Sequence, residues 1–281
     1  MNRESSYRAR YGAARVLPAG VVQLPAALLG PGHQLAVELL PSCLALRYRG
    51  VVSADECAAL TAAVYAARRR WTANFEGIQF TLGRAFYVHL EQDQEDDYFA
   101  HAAESIAQVE EAVPGLPARM AALVARLVGG TVVQRPDWCG AGVHIFPAGG
   151  YCAQHGGDVH FDIEGLTEEQ LAERTPALTC VLMLQTPESG GGLQVWEKTY
   201  EGEAEVAKAE VGARGEICPY LPGDLVVIDS WRLHQIMPFS GARDRISATL
   251  HAVYVEPKES DPAAAPSAEK DRAEGHWEVW F

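Results

Sequence analysis

Basic residues are in short supply. The 281-residue chain carries 23 Lys and Arg against 37 Asp and Glu, a net charge of −14. It therefore lacks the positive surface that displaces counterions from a nucleic-acid backbone. Long apolar runs are missing too: no stretch reaches the roughly eighteen charge-free residues that a membrane span needs. Residues 1–15 are basic but lead into no continuous apolar run of leader type. The expected setting is cytoplasmic, and the expected partner is a small molecule rather than nucleic acid or membrane. None of the six cysteines forms a Cys-x-x-Cys pair, so they read as free thiols. There is no internal repeat.

What is present is a chain of two textures. Residues 16–50 mix short apolar runs with Pro18, Pro25, Pro31 and Pro41, and predict strands at 34–40 and 45–48. Ser53-Ala-Asp-Glu56 is a capping box, and Cys57, Leu60, Val64 and Trp71 follow it at helical spacing, predicting a helix to about residue 70. A strand or hairpin is expected over 77–90, and helices over 97–113 and 118–127, the last stopped by Gly129 and Gly130. After Gly130, short β-prone runs alternate with Gly, Pro and Asp at 131–134, 143–146, 159–161, 178–185, 193–196, 225–228 and 246–255. Helices first and strands later indicate an α+β protein whose strands build a sandwich or barrel. Three regions are expected: 1–130 with supporting helices packed on the core, 131–256 as the core, and 257–281 as a mobile tail with an aromatic end that docks back on the body or on a partner.

Residues 160–162 read His-Phe-Asp. At the end of a strand, His160 and Asp162 project to one side, because side chains alternate with period two. An imidazole and a carboxylate on one face can occupy adjacent positions of an octahedral metal, and a second imidazole completes a set that suits non-haem iron(II). His234 is the best candidate for it. It lies 72 residues beyond Asp162, at the end of an apolar strand that starts at Pro222-Gly-Asp-Leu225. Eleven residues further comes Arg245, then Ile246 and Ser247. A guanidinium fork with a hydroxyl on the same face can grip a carboxylate. Arg243 shares that alternation and competes for the role.

The ordered set of His160-Phe-Asp162, His234 and Arg245-Ile-Ser247 resembles the iron(II)/2-oxoglutarate-dependent oxygenases. Gly190-Gly-Gly-Leu193 with Trp196, and Pro222-Gly-Asp-Leu225, resemble the prolyl-hydroxylase-like branch; the likeness spans residues 140–255. It implies a double-stranded β-helix (jelly-roll) core braced by N-terminal helices. It also implies Fe(II) on His160, Asp162 and His234, and 2-oxoglutarate as cosubstrate with its distal carboxylate on Arg245 and Ser247. With O2, such an enzyme hydroxylates, desaturates or cyclises a substrate and releases succinate and CO2. The substrate class expected is a free amino acid or a natural-product intermediate.

His155 is the rival to His160. His155-Gly-Gly157 resembles the His-x-Gly register of halogenases, in which a small residue replaces the carboxylate and halide binds iron. In the other register His155 lines the cavity or stands behind the ligands. Tyr151, His144, Gln134 and Trp196 are further candidates for the pocket wall, and Glu164 and Asp158 for contact with a cationic substrate. His33, His89, His101, His251 and His276 have no partner pattern and receive no role. A jelly-roll binding module without turnover is the competing class; the carboxylate grip speaks against it.

Overall fold

The computed structural model describes residues 15–16, 20–30, 35–202, 206, 211, 214–257 and 275–281. Its strands are, in chain order, β1 (Arg15–Val16), β2 (Val21–Pro25), β3 (Ala45–Arg49), β4 (Thr72–Asn74), β5 (Gln79–Leu82), β6 (Val132–Gln134), β7 (Gly142–Phe146) and β8 (Ala177–Gln185). There follow β9 (Ser189–Gly190), β10 (Leu193–Thr199), β11 (Gly215–Cys218), β12 (Leu225–Asp229), β13 (Arg232–Ile236), β14 (Phe239–Ser240), β15 (Arg245–Val255) and β16 (His276–Trp280). One large sheet runs β1-β2-β3-β12-β8-β15-β7-β5-β4, with β16 on β15 and β6 on β16. A smaller sheet, β11-β10-β13, lies across from it.

Alternation along the strands decides what each face does. On β8, β15, β7 and β12, the residues Leu178, Cys180, Leu182, Leu184, Ile246, Ala248, Leu250, Val143, Ile145 and Val227 belong to the main core. That core is closed by the helices Ala54–Ala66 and Leu116–Val128, which supply Val64, Met120, Val124 and Leu127. The opposite parity points at the small sheet. There Met183, Val226 and Ile228 meet Leu193, Val195 and Cys218. The same inner face carries Thr179, Val181, His144, Phe146, Arg245, Ser247 and Thr249 toward a cavity. Strands covered on both faces read as unbroken apolar runs, which is why β8 shows no polar alternation in sequence. The result is the jelly-roll sandwich braced by N-terminal helices.

The capping box is formed: Ser53 Oγ accepts from Glu56 N at 3.2 Å, and the Glu56 carboxylate accepts from Ser53 N at 3.1 Å. The Asp of Pro222-Gly-Asp is structural. Asp224 is buried, accepts from Arg47 Nε at 2.7 Å and from Gly50 N at 3.0 Å, and so ties β3 to the turn before β12.

Several expectations are corrected. Residues 35–39 form a short helix, not a strand; Gln34 lies outside the described residues. The hairpin partner of β5 is upstream, in β4, and Phe86–Leu90 is helical. The helix over 97–113 is two, Glu95–Ala100 and Ala102–Ala112, broken at His101 (φ −114°, ψ 12°). Beside the break, the Tyr98 hydroxyl donates to Phe281 O at 2.9 Å and accepts from Cys139 N at 3.0 Å, tying the first helix to two distant segments. The expected strand at 159–161 is reduced to one bridge, His160 with His234. His234 lies within β13, not at a strand end. The expected tail divides: residues 258–274 lie outside the described residues, while β16 pairs antiparallel with β15 and parallel with β6. No helix among the described residues is long and apolar enough to cross a membrane.

Candidate active site

The bridge builds the site. His160 N donates to His234 O at 3.1 Å and His234 N donates to His160 O at 2.9 Å. A residue pair that exchanges both bonds has its side chains on one side of the ladder, and the two imidazole centroids are 4.2 Å apart. Two residues on, Asp162 returns to the same side, anchored by its N–H on Ser230 O at 3.1 Å. Its Oδ1 is 3.4 Å from His160 Nε2 and its Oδ2 is 3.2 Å from His234 Nε2. The three donor atoms lie within 4.8 Å of one another, the one such His/Cys/Asp/Glu group among the described residues.

Both rings are oriented in the same way. His160 Nδ1 donates to Asp158 O and His234 Nδ1 donates to Arg232 O, each at 2.9 Å. Committing the proton to Nδ1 leaves the Nε2 lone pair for a metal. Asp162 is held from behind: Thr179 Oγ1 donates to Oδ2 at 2.6 Å and also meets Ser230 Oγ at 2.9 Å. Two neutral nitrogens and a carboxylate on one face, open on the other, form a donor set that fits Fe(II). Without a metal, the carboxylate and the rings share a proton. Burial opposes ionisation of Asp162, but His234 and His160 hold its carboxyl well below the usual range. Burial likewise opposes protonation of His160, but the hydrogen bond and charge of Asp162 raise it to about 9, so a metal ion would displace a proton to reach the His160 Nε2 lone pair.

At the closed end of the same cavity stands Arg245, 2% exposed. Its Nε donates to Gly191 O at 3.2 Å and its Nη1 to Ser247 Oγ at 3.3 Å. The Gly190-Gly-Gly motif is thus the backbone rest for this side chain. Gly190 and Gly191 both have positive φ (78° and 71°), which glycine adopts without steric cost. The guanidinium lies between Phe146 and Tyr220, 5.4 and 5.2 Å from their ring centroids. No carboxylate pairs with it among the described residues, and burial pushes its pKa down. The Tyr220 hydroxyl is buried beside it, and Arg245 is the one polar side chain it meets among the described residues. A buried, unpaired cation is costly unless an anion joins it. Arg243 is exposed in the turn before β15 and does not line the cavity.

The cavity brings together His160, Asp162, His234, Arg245, Ser247, His144, Glu164 and Tyr151, the last 52% exposed at the rim. Three expected wall residues are elsewhere. Trp196 has the opposite parity to Val195 on β10 and packs with Phe161 and Leu233, against Gly215, where a Cβ would lie 2.3 Å from the indole. His155 ends the short helix Tyr151–His155 and stacks outward on Tyr151 at 4.4 Å. It is exposed, and Gly156 (φ 83°) turns the chain away after it. Gln134 is also exposed and bonds to the Trp138 carbonyl. Tyr220, Thr179, Gln79, Tyr87, Glu91 and His251 line the cavity as well. Thr179 and His251 could have been found from strand parity, being polar residues on the His144–Ser247 face. Tyr87 and Glu91 could not, since the helix that carries them read as a hairpin.

His144 is buried on β7 opposite Ser247. Burial, then the charges of His251 and Arg245, depress its imidazole from 6.5 to about 3. The folded protein therefore binds one proton fewer than the unfolded chain between those values. Stability is undiminished above pH 6.5 and falls as the pH drops toward 3. Denaturant titrations of the metal-free protein should show His144→Phe to be less steep in this window, by about 1.4 kcal/mol per pH unit. Equal slopes in the two proteins would show that the imidazole is not held neutral.

No family model matches the chain, and no curated protein matches it in sequence. Solved structures do match in fold. The non-heme alpha-ketoglutarate-dependent carbocyclase SnoK from nogalamycin biosynthesis superposes with a TM-score of 0.52 at 16% identity, over 80% of this chain and 87% of that one. An N-substituted L-amino acid dioxygenase from Burkholderia ambifaria superposes with a TM-score of 0.51 at 15% identity, over 91% of each chain. At 15–16% identity the likeness to these two enzymes is one of fold, and the clustered His160, Asp162 and His234 donors stand beside it as an observation of this chain.

Proposed function

We propose that the protein is an iron(II)/2-oxoglutarate-dependent dioxygenase that oxidises, by hydroxylation, an unactivated C–H bond of a small molecule. Fe(II) would be held by His160, Asp162 and His234, and the distal carboxylate of 2-oxoglutarate by Arg245, Ser247 and Tyr220. The observation that carries this reading is Arg245: a buried guanidinium with no counter-ion among the described residues, in one chamber with the triad. A metal-binding module without turnover has no use for such a group. The reaction balances as R–H plus O2 plus 2-oxoglutarate giving R–OH, succinate and CO2, the bound iron supplying the oxygen-activating chemistry. The protein orients both reactants and excludes water. The cavity holds about 230 Å³, below the roughly 300 Å³ at which drug-sized sites begin, and so favours compact reactants. The names of the two structural relatives speak for amino acid or natural-product substrates. All six cysteines are free and buried, which suits a reducing cytoplasm.

A halogenase would need His155 at the metal with Gly157 beside it, and His155 faces away from the cavity. The test is anaerobic addition of Fe(II) and 2-oxoglutarate, followed by oxygen with and without chloride. A weak visible charge-transfer band, then chloride-independent succinate release, is expected. No band would leave only a binding module, and chloride-dependent turnover with a chlorinated product would establish the His155 register.

A further inference from the structure

The cavity is electrically polarised. Its closed end holds Arg245, and among the described residues no lysine or second arginine lines it. Its mouth is ringed by Glu91, Asp158 and Glu164. Glu164 is half-buried, while Glu91 and Asp158 are on the open rim. None of the three carboxylates has a Lys or Arg partner among the described residues. Between the two ends the wall is aromatic. Tyr87 and Glu91 share a face of one helical stretch, four residues apart, and the Tyr87 ring is 5.9 Å from the His144 ring. Phe75 and Tyr151 border the same opening. His144 supplies a second, independent sign of a polar ligand: it is 8% exposed, lines the cavity, and its Nδ1 has no hydrogen-bond partner.

We infer that the substrate of this site carries a protonated amine, received by Glu164 and Glu91 at the mouth, on an apolar or aromatic body that lies along Tyr87 and His144. This rests on the oxygenase reading and deepens it. The acidic rim draws a cation from solution and repels an anion. Aromatic faces favour a cation beside them. The unpartnered His144 ring nitrogen calls for one polar group on that body within hydrogen-bond reach of it. A carboxylate-bearing cosubstrate is left to the far end, so the two charges sort the two reactants within one chamber.

The test uses matched sets of arylalkyl amines, their N-acetyl derivatives and carboxylic acids of the same skeleton, scored by stimulation of 2-oxoglutarate-dependent succinate release. Stimulation should be confined to the amines. For the best amine, the half-saturating concentration should rise roughly tenfold in Glu164→Gln and about threefold in Glu91→Gln, in the order of their burial. The anaerobic Fe(II)/2-oxoglutarate band should persist in both variants, showing that metal and cosubstrate still bind. The inference is overturned if no amine stimulates, if acids or N-acetyl compounds do as well, or if neither variant changes the half-saturating concentration. A missing band in the unmodified protein would instead overturn the oxygenase reading, and this inference with it.

Discussion

His160→Ala and His234→Ala are each expected to abolish stoichiometric Fe(II) binding and all turnover while the fold survives. The two imidazoles are held by the same device, an Nδ1 proton committed to a carbonyl two residues earlier or back in the strand. Each removal deletes one of three donors that lie within 4.8 Å of one another. Two donors on one face do not enclose a divalent ion in competition with water. The fold should persist because stability comes from the apolar layer between the sheet and its helices, on the other side of the strands. The backbone bridge between residues 160 and 234 uses no side-chain atom. Metal analysis of protein purified with Fe(II), beside thermal unfolding of the metal-free forms, checks both halves. Thr179→Val gives a graded control. It keeps all three donors but removes the hydroxyl at 2.6 Å from Asp162 Oδ2, and it should weaken iron affinity by about 10–100-fold. Full iron stoichiometry in either alanine variant would take that histidine out of the site.

How much of this was legible depended on whether a residue's place is set by local pattern or by distant contacts. His160, Asp162 and His234 could be paired because a period-two repeat fixes the side that His160 and Asp162 share, whatever the strand's length. The strand itself proved to be a single bridge, and the inference survived because the bridge imposes the same geometry. Arg245 and Ser247 were legible for the same reason. Parity could not separate Arg243 from Arg245; pairing does, because β15 begins at Arg245 and Arg243 lies in the turn. Trp196 shows the reverse failure. Its place near a Gly-Gly-x-Leu motif suggested a pocket wall, but β10 presents Leu193 and Val195 inward and the indole outward. The mouth was least legible. Glu91 and Tyr87 reach it on and just after a short helix with no capping signal, held by Phe86 N donating to Phe281 O, the last residue of the chain. No local pattern encodes such a contact.

Arg245→Ala should raise the concentration of 2-oxoglutarate needed for half-maximal turnover far more than that of the substrate. The guanidinium is fully enclosed, and its Nε and Nη1 are already spent on Gly191 O and Ser247 Oγ. These two bonds aim the rest of the fork, rather than neutralise it. Removing it would leave a bound carboxylate with only the Tyr220 and Ser247 hydroxyls, in a chamber where water cannot take over. Losing one partner of such a closed charge pair costs about 2–5 kcal/mol, or roughly thirty-fold and upward in affinity. Arg245→Lys should recover only part of it, since an ammonium keeps the charge but not the planar fork. Arg243→Ala, in the exposed turn, should change neither constant by more than about twofold, as for a surface charge without a buried partner. The anaerobic charge-transfer band, titrated with 2-oxoglutarate in each variant, reads binding without turnover. If Arg243→Ala weakened the band and Arg245→Ala did not, the start of β15 would be out of register and the cavity's closed end would belong to a different residue.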